Sequence, residues 1–314
     1  MTDAPPVVAR GLYKRYDDIV AVDHVDLTVE TGDVFGYLGP NGAGKTTSLR
    51  MLLGLIRPTA GSAQLLGRDP MVVGAKALDG VAGFVEGPRF YPYLTGRRNL
   101  QLLADYDDND ARSRIEESLE LVELRDRAKH RVGGYSHGMR QRLGIAAALI
   151  RQPRLLLLDE PATGLDPAGM RDMRDLVRRL AGEGITVLLS SHLLTEVEEL
   201  CNRVAIIRKG RIVYEGKLAE LLATAAGTFR LRAVDGERAL LACLAQSGLE
   251  DVAADGDEIV FRASEEAVGA LSIALGQARI AVTALVPHAP SLEELFLDMT
   301  EGRHEPEIAE EAVA

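Results

Sequence analysis

The sequence predicts an α/β fold with a mainly parallel sheet, joined by an antiparallel β subdomain, a helical subdomain and a small C-terminal α+β domain. Short β-branched or apolar runs alternate with amphipathic helical stretches over residues 7–222, the pattern of a parallel sheet covered by helices. Within this domain, residues 86–152 have a helical pattern without a clear strand. An alternation of strands and helices resumes at residues 228–302 and predicts the second domain.

Length and charge limit the classes of protein that this chain can be. Its 314 residues exceed one typical domain and accommodate two. The 36 Lys and Arg against 47 Asp and Glu give a net charge of -11, which argues against nucleic-acid partners. The chain has no signal-peptide pattern and no apolar run near the roughly 20 residues that cross a bilayer. We expect a cytoplasmic protein whose membrane role, if it has one, requires a partner chain.

The individual strands of the first domain are predicted from apolar runs and turn residues. Runs 19–22 and 25–29 alternate apolar with polar residues, which indicates an antiparallel hairpin at an edge. Lys209 and Gly210 separate two further runs, as the turn of a second hairpin would. The predicted core strands are residues 34–38, 155–158 and 185–189.

The second domain has the element order strand, helix, strand, strand, helix, strand, helix, which predicts a ferredoxin-like fold. Residues 303–314 are acidic and lack periodicity, so we expect a disordered tail. We expect an apolar stripe on the last helix to support a dimer, although packing inside the chain explains the stripe equally well. The stripe consists of Leu292, Leu295, Phe296 and Met299.

A glycine-rich loop matches a phosphate-binding pattern. Residues 39–46 read GPNGAGKT and fit GxxxxGK[ST], between a buried apolar run and a helix whose apolar spacing continues to Ile56. Glycines let backbone N–H groups point inward, and a helix N-terminus attracts phosphate. Lys45 would neutralise the β and γ phosphates, Thr46 would offer a hydroxyl to Mg²⁺, and Thr47 can reach a phosphate oxygen. The predicted phosphate-loop residues are Gly39, Asn41, Gly42, Ala43, Gly44, Lys45, Thr46 and Thr47.

Two adjacent acids follow a predicted core strand. Asp159 and Glu160 come directly after the apolar run 155–158, which places them at the carboxyl edge of the sheet, beside the phosphate loop. Asp159 can hold Mg²⁺, and Glu160 can polarise a water molecule that attacks the γ-phosphate. Together with the loop, the two acids predict hydrolysis of a nucleotide.

In this order, the motifs resemble those of the ATPase subunit of ATP-binding cassette (ABC) transporters, over most of residues 7–222. Tyr16 precedes the phosphate loop, where the family places an aromatic residue that stacks on adenine. Asp166 follows Gly164-Leu165 and resembles the aspartate of the family's D-loop, and His192 resembles its switch histidine. Each residue also has a structural interpretation. Asp166 can be a helix N-cap, Tyr16 a half-buried tyrosine, and His192 a structural or exposed histidine.

The family's LSGGQ signature is degenerate in this chain. The corresponding residues read Tyr135, Ser136, His137, Gly138 and Met139, so that the serine and one glycine are retained. Ser136 is also a good N-cap for the helix that follows. By resemblance, Ser136 and Gly138 would meet the γ-phosphate bound to a second copy, and the bulky His137 is expected to alter affinity.

Glu86 stands where the family generally has the glutamine of its Q-loop. Its carboxylate can face Mg²⁺ and follow loss of the γ-phosphate, or it can be a simple surface residue. The segment 84–92, with residues 94–95 and 99–100 after it, resembles the branch of drug, antibiotic and lantibiotic exporters, and so does the ending 291–296.

The resemblance implies an ATP hydrolase that uses ATP and Mg²⁺ and forms a homodimer around two ATP molecules. Glu160 would activate water, His192 and Glu86 would sense the γ-phosphate, and Asp166 would act across the dimer interface. The implied metal ligands are Thr46, Glu86 and Asp159. A separate membrane permease would be the partner, and the protein would lie on the cytoplasmic face of the cell membrane.

Other classes of protein also fit part of the sequence. A non-transport ABC ATPase acting on DNA or ribosomes would usually have paired cassettes, a long coiled coil or a zinc-binding insertion, none of which the sequence predicts. A small-molecule kinase would fit the phosphate loop but would leave the signature-like helix without a role.

Overall fold

The structure, a computed structural model, describes residues 4–107, 110–224, 227–288 and 291–301. Its residues divide into two compact units between Lys217 and Leu218. The limits 7–222 and 228–302 remain sequence-based predictions, and the predicted disordered tail at 303–314 lies outside the described residues.

The first unit contains the elements that carry all the predicted motifs. Its strands are β1 (Val7–Tyr16), β2 (Ile19–Val29), β3 (Val34–Leu38), β4 (Ala60–Leu65), β5 (Val81–Phe84), β6 (Leu155–Asp159), β7 (Thr186–Ser191), β8 (Arg203–Arg208) and β9 (Arg211–Lys217). Its α-helices are α1 (Lys45–Leu52), α2 (Pro70–Val73), α3 (Gly96–Ala104), α4 (Ile115–Leu121), α5 (His137–Leu149), α6 (Pro167–Gly182) and α7 (Leu194–Leu200).

The larger sheet brings the motif-bearing strands together. Its strand order is β5-β6-β7-β3-β8-β9, and its neighbours pair in parallel except for the antiparallel β8–β9 hairpin at Lys209-Gly210. Every residue of β3, β6 and β7 is buried, as expected for strands covered on both faces. The phosphate loop, Glu160 and His192 follow β3, β6 and β7 respectively, so the predicted α/β architecture places them at one sheet edge.

Strand β5 is missing from the sequence-based prediction because a glycine interrupts its short apolar run. Gly83 has a φ of 148°, a backbone conformation that side chains with a Cβ rarely adopt. A Cβ at this position would lie 1.8 Å from the carbonyl oxygen of Leu157 on β6. The glycine therefore permits the close pairing of β5 with β6.

We expect Gly83→Ala to destabilise the chain by about 2–4 kcal/mol, because the added Cβ meets a backbone atom that cannot rotate away. Urea unfolding of the full chain measures the change. Gly182→Ala is the matched control, since a Cβ at that helical position meets no atom within 4 Å. Equal unfolding midpoints for the two variants would contradict the steric argument.

The second sheet of this unit has the strand order β2-β1-β4 and antiparallel pairing. This sheet confirms the predicted antiparallel subdomain, but the predicted break between residues 22 and 25 is wrong, because β2 is continuous there. The β1–β2 register passes from Leu12 opposite Val25 to Lys14 opposite Val22, and His24 has a φ of 52°. Asp23 and His24, the polar residues between the two apolar runs, thus form a bulge within one strand.

Helix α1 ends earlier than its apolar spacing predicts. Gly54 has a φ of 70°, its N–H donates to Met51 O at 3.0 Å, and Leu55 N–H donates to Arg50 O at 2.8 Å. These bonds form a Schellman motif that stops the helix. The predicted continuation to Ile56 is therefore wrong.

The region 86–152 contains α3, α4 and α5, consistent with the predicted helical subdomain. Tyr135, which occupies the signature's leucine position, is 4% exposed, and its hydroxyl donates to Arg127 O at 2.7 Å. A Cβ on Gly96 would lie 2.4 Å from that hydroxyl oxygen. The tyrosine thus joins the signature segment to the loop before it and to the start of α3.

The second unit has the predicted order of strands and helices. Its sheet order, β11-β12-β10-β13, with antiparallel neighbours, is that of a ferredoxin-like split βαβ fold. Leu292 and Phe296 of the last helix are buried within the single chain, so the apolar stripe packs internally at these positions. The elements are α8 (Leu218–Thr224), β10 (Thr228–Ala233), α9 (Gly236–Ala245), β11 (Leu249–Asp255), β12 (Glu258–Ala263), α10 (Glu265–Gln277), β13 (Val282–Pro287) and α11 (Leu292–Glu301).

Within the ranges that the structure describes, none of the helices combines the length and apolar character needed to cross a membrane.

Candidate functional site

The phosphate loop between β3 and α1 closes around the side chain of its own lysine. Lys45 is 5% exposed, and its Nζ donates to Gly39 O at 2.7 Å and to Pro40 O at 3.3 Å. Gly44 has a φ of 109°, and a Cβ there would lie 2.4 Å from Ala21 O on β2. The loop therefore requires this glycine, and it holds a cation at its centre.

The β8–β9 turn is hydrogen-bonded to the phosphate loop. Gly210 N–H donates to Ala43 O at 3.0 Å, and Gly210 O accepts from Asp23 N–H at 2.8 Å. The sequence predicted the turn but not this contact, because hairpin residues carry no signal for what lies beside them. Among the other predicted loop residues, Asn41 and Gly42 lie in the loop, and Thr47 lies in the first turn of α1.

Asp159 at the end of β6 is held by three donors from different segments. Its Oδ2 accepts from Thr46 Oγ1 at 3.1 Å and from the backbone N–H of Glu86 at 3.2 Å, and its Oδ1 accepts from Ser190 Oγ at 2.5 Å. These bonds fix a carboxylate oxygen beside the hydroxyl of the phosphate loop. Magnesium prefers oxygen ligands of this kind and is usually bound by one or two carboxylates together with phosphates, so the two residues fit the ion.

Glu160 lies where the chain turns away from β6, with a φ of 49°. Its Oε2 accepts from Thr163 Oγ1 at 2.8 Å and lies 2.9 Å from His192 Nδ1, while its Oε1 lies 3.5 Å from Lys45 Nζ. Its backbone N–H donates to Ser190 Oγ at 3.1 Å. The structure therefore brings the predicted base, the switch histidine and the loop lysine into one cluster.

The surroundings of Glu160 set its charge. Burial raises the pKa of the carboxyl, but the hydrogen bond from Thr163 and the charges of His192 and Lys45 outweigh burial, and the net pKa is lowered. The carboxylate is consequently ionised at neutral pH and can accept a proton or a hydrogen bond from water.

Two predicted site residues, Glu86 and Tyr16, lie beside cationic side chains in this structure. The carboxylate of Glu86 pairs with Arg50 on α1, so only its backbone N–H reaches the Asp159 carboxylate. Tyr16 is 45% exposed, with Lys14 Nζ lying 4.8 Å from its ring centroid. The predicted role of Glu86 at the metal and the predicted stacking of Tyr16 on adenine both remain predictions.

The signature serine and the D-loop aspartate form the caps that their sequence positions suggest. Ser136 Oγ accepts from Met139 N–H at 3.2 Å at the start of α5, and Asp166 Oδ1 accepts from Gly169 N–H at 2.8 Å at the start of α6. Among the described residues, no hydrogen bond joins Ser136, Gly138 or Asp166 to the Lys45 and Asp159 cluster. Their action on a second copy remains a prediction.

Sequence reasoning missed two residues of the cluster, Thr163 and Ser190. Ser190 is fully buried at the end of β7 and contacts both acids, whereas Thr163 reaches back to Glu160 across a turn. A hydroxyl directly after the predicted core strand 185–189 was the available signal for Ser190. For Thr163, a threonine three residues after the glutamate was the signal.

Comparisons with known proteins agree with this geometry. The family model described as ABC transporter matches residues 22–163. The ABC transporter ATP-binding protein YdbJ of Bacillus subtilis (strain 168) is 38% identical and aligns with 96% of this chain and 98% of its own length. The daunorubicin resistance ATP-binding protein DrrA3 of Streptomyces coeruleorubidus is 39% identical and aligns with 94% of this chain and 95% of its own length. The bacitracin transport ATP-binding protein BcrA of Bacillus licheniformis is 46% identical and aligns with 65% of this chain and 67% of its own length.

Among solved structures, the dimeric, post-hydrolysis cassette MJ0796 bound to ADP and Pi matches with a TM-score of 0.60 and 25% identity, covering 68% of this chain and 98% of its own. The first unit thus has the fold of a nucleotide-binding cassette, with the phosphate loop and both acids at the predicted edge. By its relatives and its fold, the chain belongs to the ATP-binding proteins of ABC transporters, which hydrolyse ATP to power transport.

Proposed function

We propose that two copies of this chain close around two ATP molecules and drive a separate membrane permease that exports a drug, an antibiotic or another small hydrophobic compound. The observation that carries this proposal is the single cluster formed by Lys45, Thr46, Asp159, Glu160 and His192. Each side chain in it supplies a function that hydrolysis of a phosphoanhydride needs: positive charge, metal ligation, a base and a group that senses the phosphate.

The role of each residue of the cluster in ATP hydrolysis follows from its contacts. When phosphates enter the loop, they replace the carbonyl groups of Gly39 and Pro40 as partners of the Lys45 ammonium. Thr46 and Asp159 would hold Mg²⁺, which would neutralise charge on the phosphates when bound. Glu160 is ionised and accepts a proton from the attacking water, and His192, hydrogen-bonded to Glu160, orients that carboxylate.

Dimer formation would complete each site with groups from the other copy. Ser136 lies at the N-terminus of α5, where the partial positive charge of the helix favours an anion such as a phosphate, and Asp166 caps the N-terminus of α6. The dimer of the related MJ0796 cassette supports this arrangement. ATP would thus hold the two copies together, and its hydrolysis would release them.

The permease would contact a cleft beside the helical subdomain. This cleft of about 700 Å³ is bounded by residues 82–90 and by parts of α3 and α5, with Leu103 and Tyr106 at its rim. One of its walls contains Glu86, whose backbone N–H bonds to Asp159. A permease segment that displaces this wall would therefore move a ligand of the proposed magnesium site, which couples transport to hydrolysis.

We expect Tyr106→Glu to weaken binding of the permease about tenfold or more, because this 93% exposed aromatic residue would bring an unpaired charge into the contact. The amount of membrane protein retained on the purified, tagged chain is the measurement, and ATP affinity should be unchanged. Val72→Glu alters another exposed apolar residue, 79% exposed on α2, and is the control. Equal loss of the partner in both variants would argue against this docking site.

Co-purification tests the proposed function as a whole. The tagged chain should retain an integral membrane protein and should hydrolyse ATP faster in its presence. Retention of ribosomes or nucleic acid instead would favour a non-transport ATPase. The proposed export of small hydrophobic compounds is supported by the names of the daunorubicin resistance and bacitracin transport relatives. The proposed place of the protein is the cytoplasmic face of the membrane, held there by the permease.

A further inference from the structure

The histidine that replaces a signature glycine contacts the D-loop of its own chain. His137 is the first residue of α5, and its Nε2 lies 2.9 Å from the carbonyl oxygen of Thr163. Because a carbonyl oxygen only accepts hydrogen bonds, His137 Nε2 carries the proton and donates it. A Cβ on Gly164 would lie 3.6 Å from the imidazole Cδ2, so the ring also packs against this glycine.

Thr163 is in turn bound to the proposed base. Its Oγ1 donates to Glu160 Oε2 at 2.8 Å, and its N–H donates to Glu160 O at 3.2 Å. The hydroxyl and the carbonyl group of Thr163 therefore face two different residues, Glu160 and His137. A chain of hydrogen bonds runs from the first turn of α5 through Thr163 to the Glu160 carboxylate.

Two further contacts involve the start of α5, one within the helix and one between the helix and this turn. Gln141, one turn along the helix and 3% exposed, places its Nε2 3.4 Å from His137 Nε2. Its Oε1 is buried without a hydrogen-bond partner in the described part of the chain. A Cβ on Gly138 would lie 3.3 Å from Leu165 Cδ2, a second point at which α5 meets the D-loop.

We propose that His137 is a positioning residue that acts through Thr163 on the proposed base, Glu160. The inference rests on the proposed function. The signature segment would meet ATP bound to the second copy, and the hydrogen bond from His137 links that segment to the glutamate of its own site. Occupancy of one ATP site would thus be communicated to the base of the other.

Two substitutions separate the hydrogen bond from the packing of the ring. His137→Phe keeps a ring against Gly164 but removes the donor, and His137→Gln places an amide N–H near the position of Nε2. A neutral hydrogen bond of this kind changes a rate by about 3- to 10-fold. We expect that loss in kcat for His137→Phe with KM unchanged, and a kcat within about twofold of the wild type for His137→Gln. His130→Phe, an exposed histidine outside the cluster, is the control.

A double-mutant cycle with Thr163→Val tests whether His137 acts through Thr163. If it does, adding His137→Phe to Thr163→Val lowers kcat no further, because the link is already broken. Additive losses would overturn the proposal, as would a loss that appears in KM alone or a failure of glutamine to rescue.

A measurement without turnover separates this inference from the proposed function. In ¹⁵N-histidine-labelled chain, the ring signals of His192 report on Glu160, which it contacts. We expect His137→Phe to shift the His192 signals, although the two histidines share no direct contact among the hydrogen bonds of the described residues, whereas His130→Phe leaves them in place. Unshifted signals would overturn the coupling. Full turnover in Glu160→Gln would instead overturn the role of Glu160 as the base. The shift of the His192 signals would still test whether His137 is coupled to Glu160 through Thr163.

Discussion

Replacing Lys45 with alanine should remove most nucleotide binding. The ammonium is the buried cation at the centre of the phosphate loop, and charge-assisted bonds to phosphate are among the strongest that a side chain makes. We expect ATP affinity to fall about 30- to 100-fold. Equilibrium binding of a fluorescent ATP analogue measures the loss, and circular dichroism checks that the fold is retained.

Lys129→Ala provides the control for this experiment, since it removes an exposed lysine that lies outside the loop. Affinity close to that of the wild type in Lys45→Ala would contradict the assignment of residues 39–46 as the phosphate-binding loop. The geometry would then have to be explained as a glycine-rich turn that only connects β3 to α1.

Replacing Glu160 with glutamine should leave ATP bound but almost unhydrolysed. Glutamine keeps the size of the side chain and removes the negative charge that accepts a proton from water. Loss of a general base lowers a rate by about 10²- to 10⁴-fold. The variant should accumulate a closed dimer with MgATP, which size-exclusion chromatography with light scattering detects.

Glu183→Gln changes an exposed glutamate after α6 and serves as the control. Full turnover by Glu160→Gln would move the base to another residue. A chain that stays monomeric with MgATP in this variant, even when the permease is supplied, would contradict the proposed dimer.

The sequence predicted the parts of the site that depend on one segment at a time. Residues 155–158 form an uninterrupted apolar run, so a buried strand ending at Asp159 could be expected from local pattern alone. The phosphate loop likewise lies between a predicted strand and a predicted helix. Because parallel strands end at one edge, the meeting of Lys45 with Glu160 followed from topology.

The parts that were not predicted depend on contacts between segments. Ser190 meets Asp159 from another strand, and Gly210 supports Ala43 from a distant hairpin. Neither partner is adjacent in the sequence, and neither residue type is unusual at its position. The pairing of the Glu86 carboxylate with Arg50 could not be predicted for the same reason. The sequence around Glu86 does not indicate which side chain of α1 lies beside it.

Local misassignments have a different cause. The polar residues at His24 interrupt an apolar pattern, which most often indicates a turn, and Gly83 interrupts an apolar run too short to be identified as a strand. In the structure, one is a bulge inside a strand and the other is a close approach of two strands. A pattern of residue types cannot distinguish these outcomes, because both arise from how a neighbouring strand fits.

The contact between Tyr135 and Gly96 restricts how this cassette can be re-engineered. A signature segment transplanted from a relative with leucine at this position would forfeit the bond to Arg127 and leave a gap above residue 96. Conversely, a larger residue at position 96 would expel the tyrosine. The two positions therefore form a matched pair, and chimeras between transport ATPases should exchange them together or not at all.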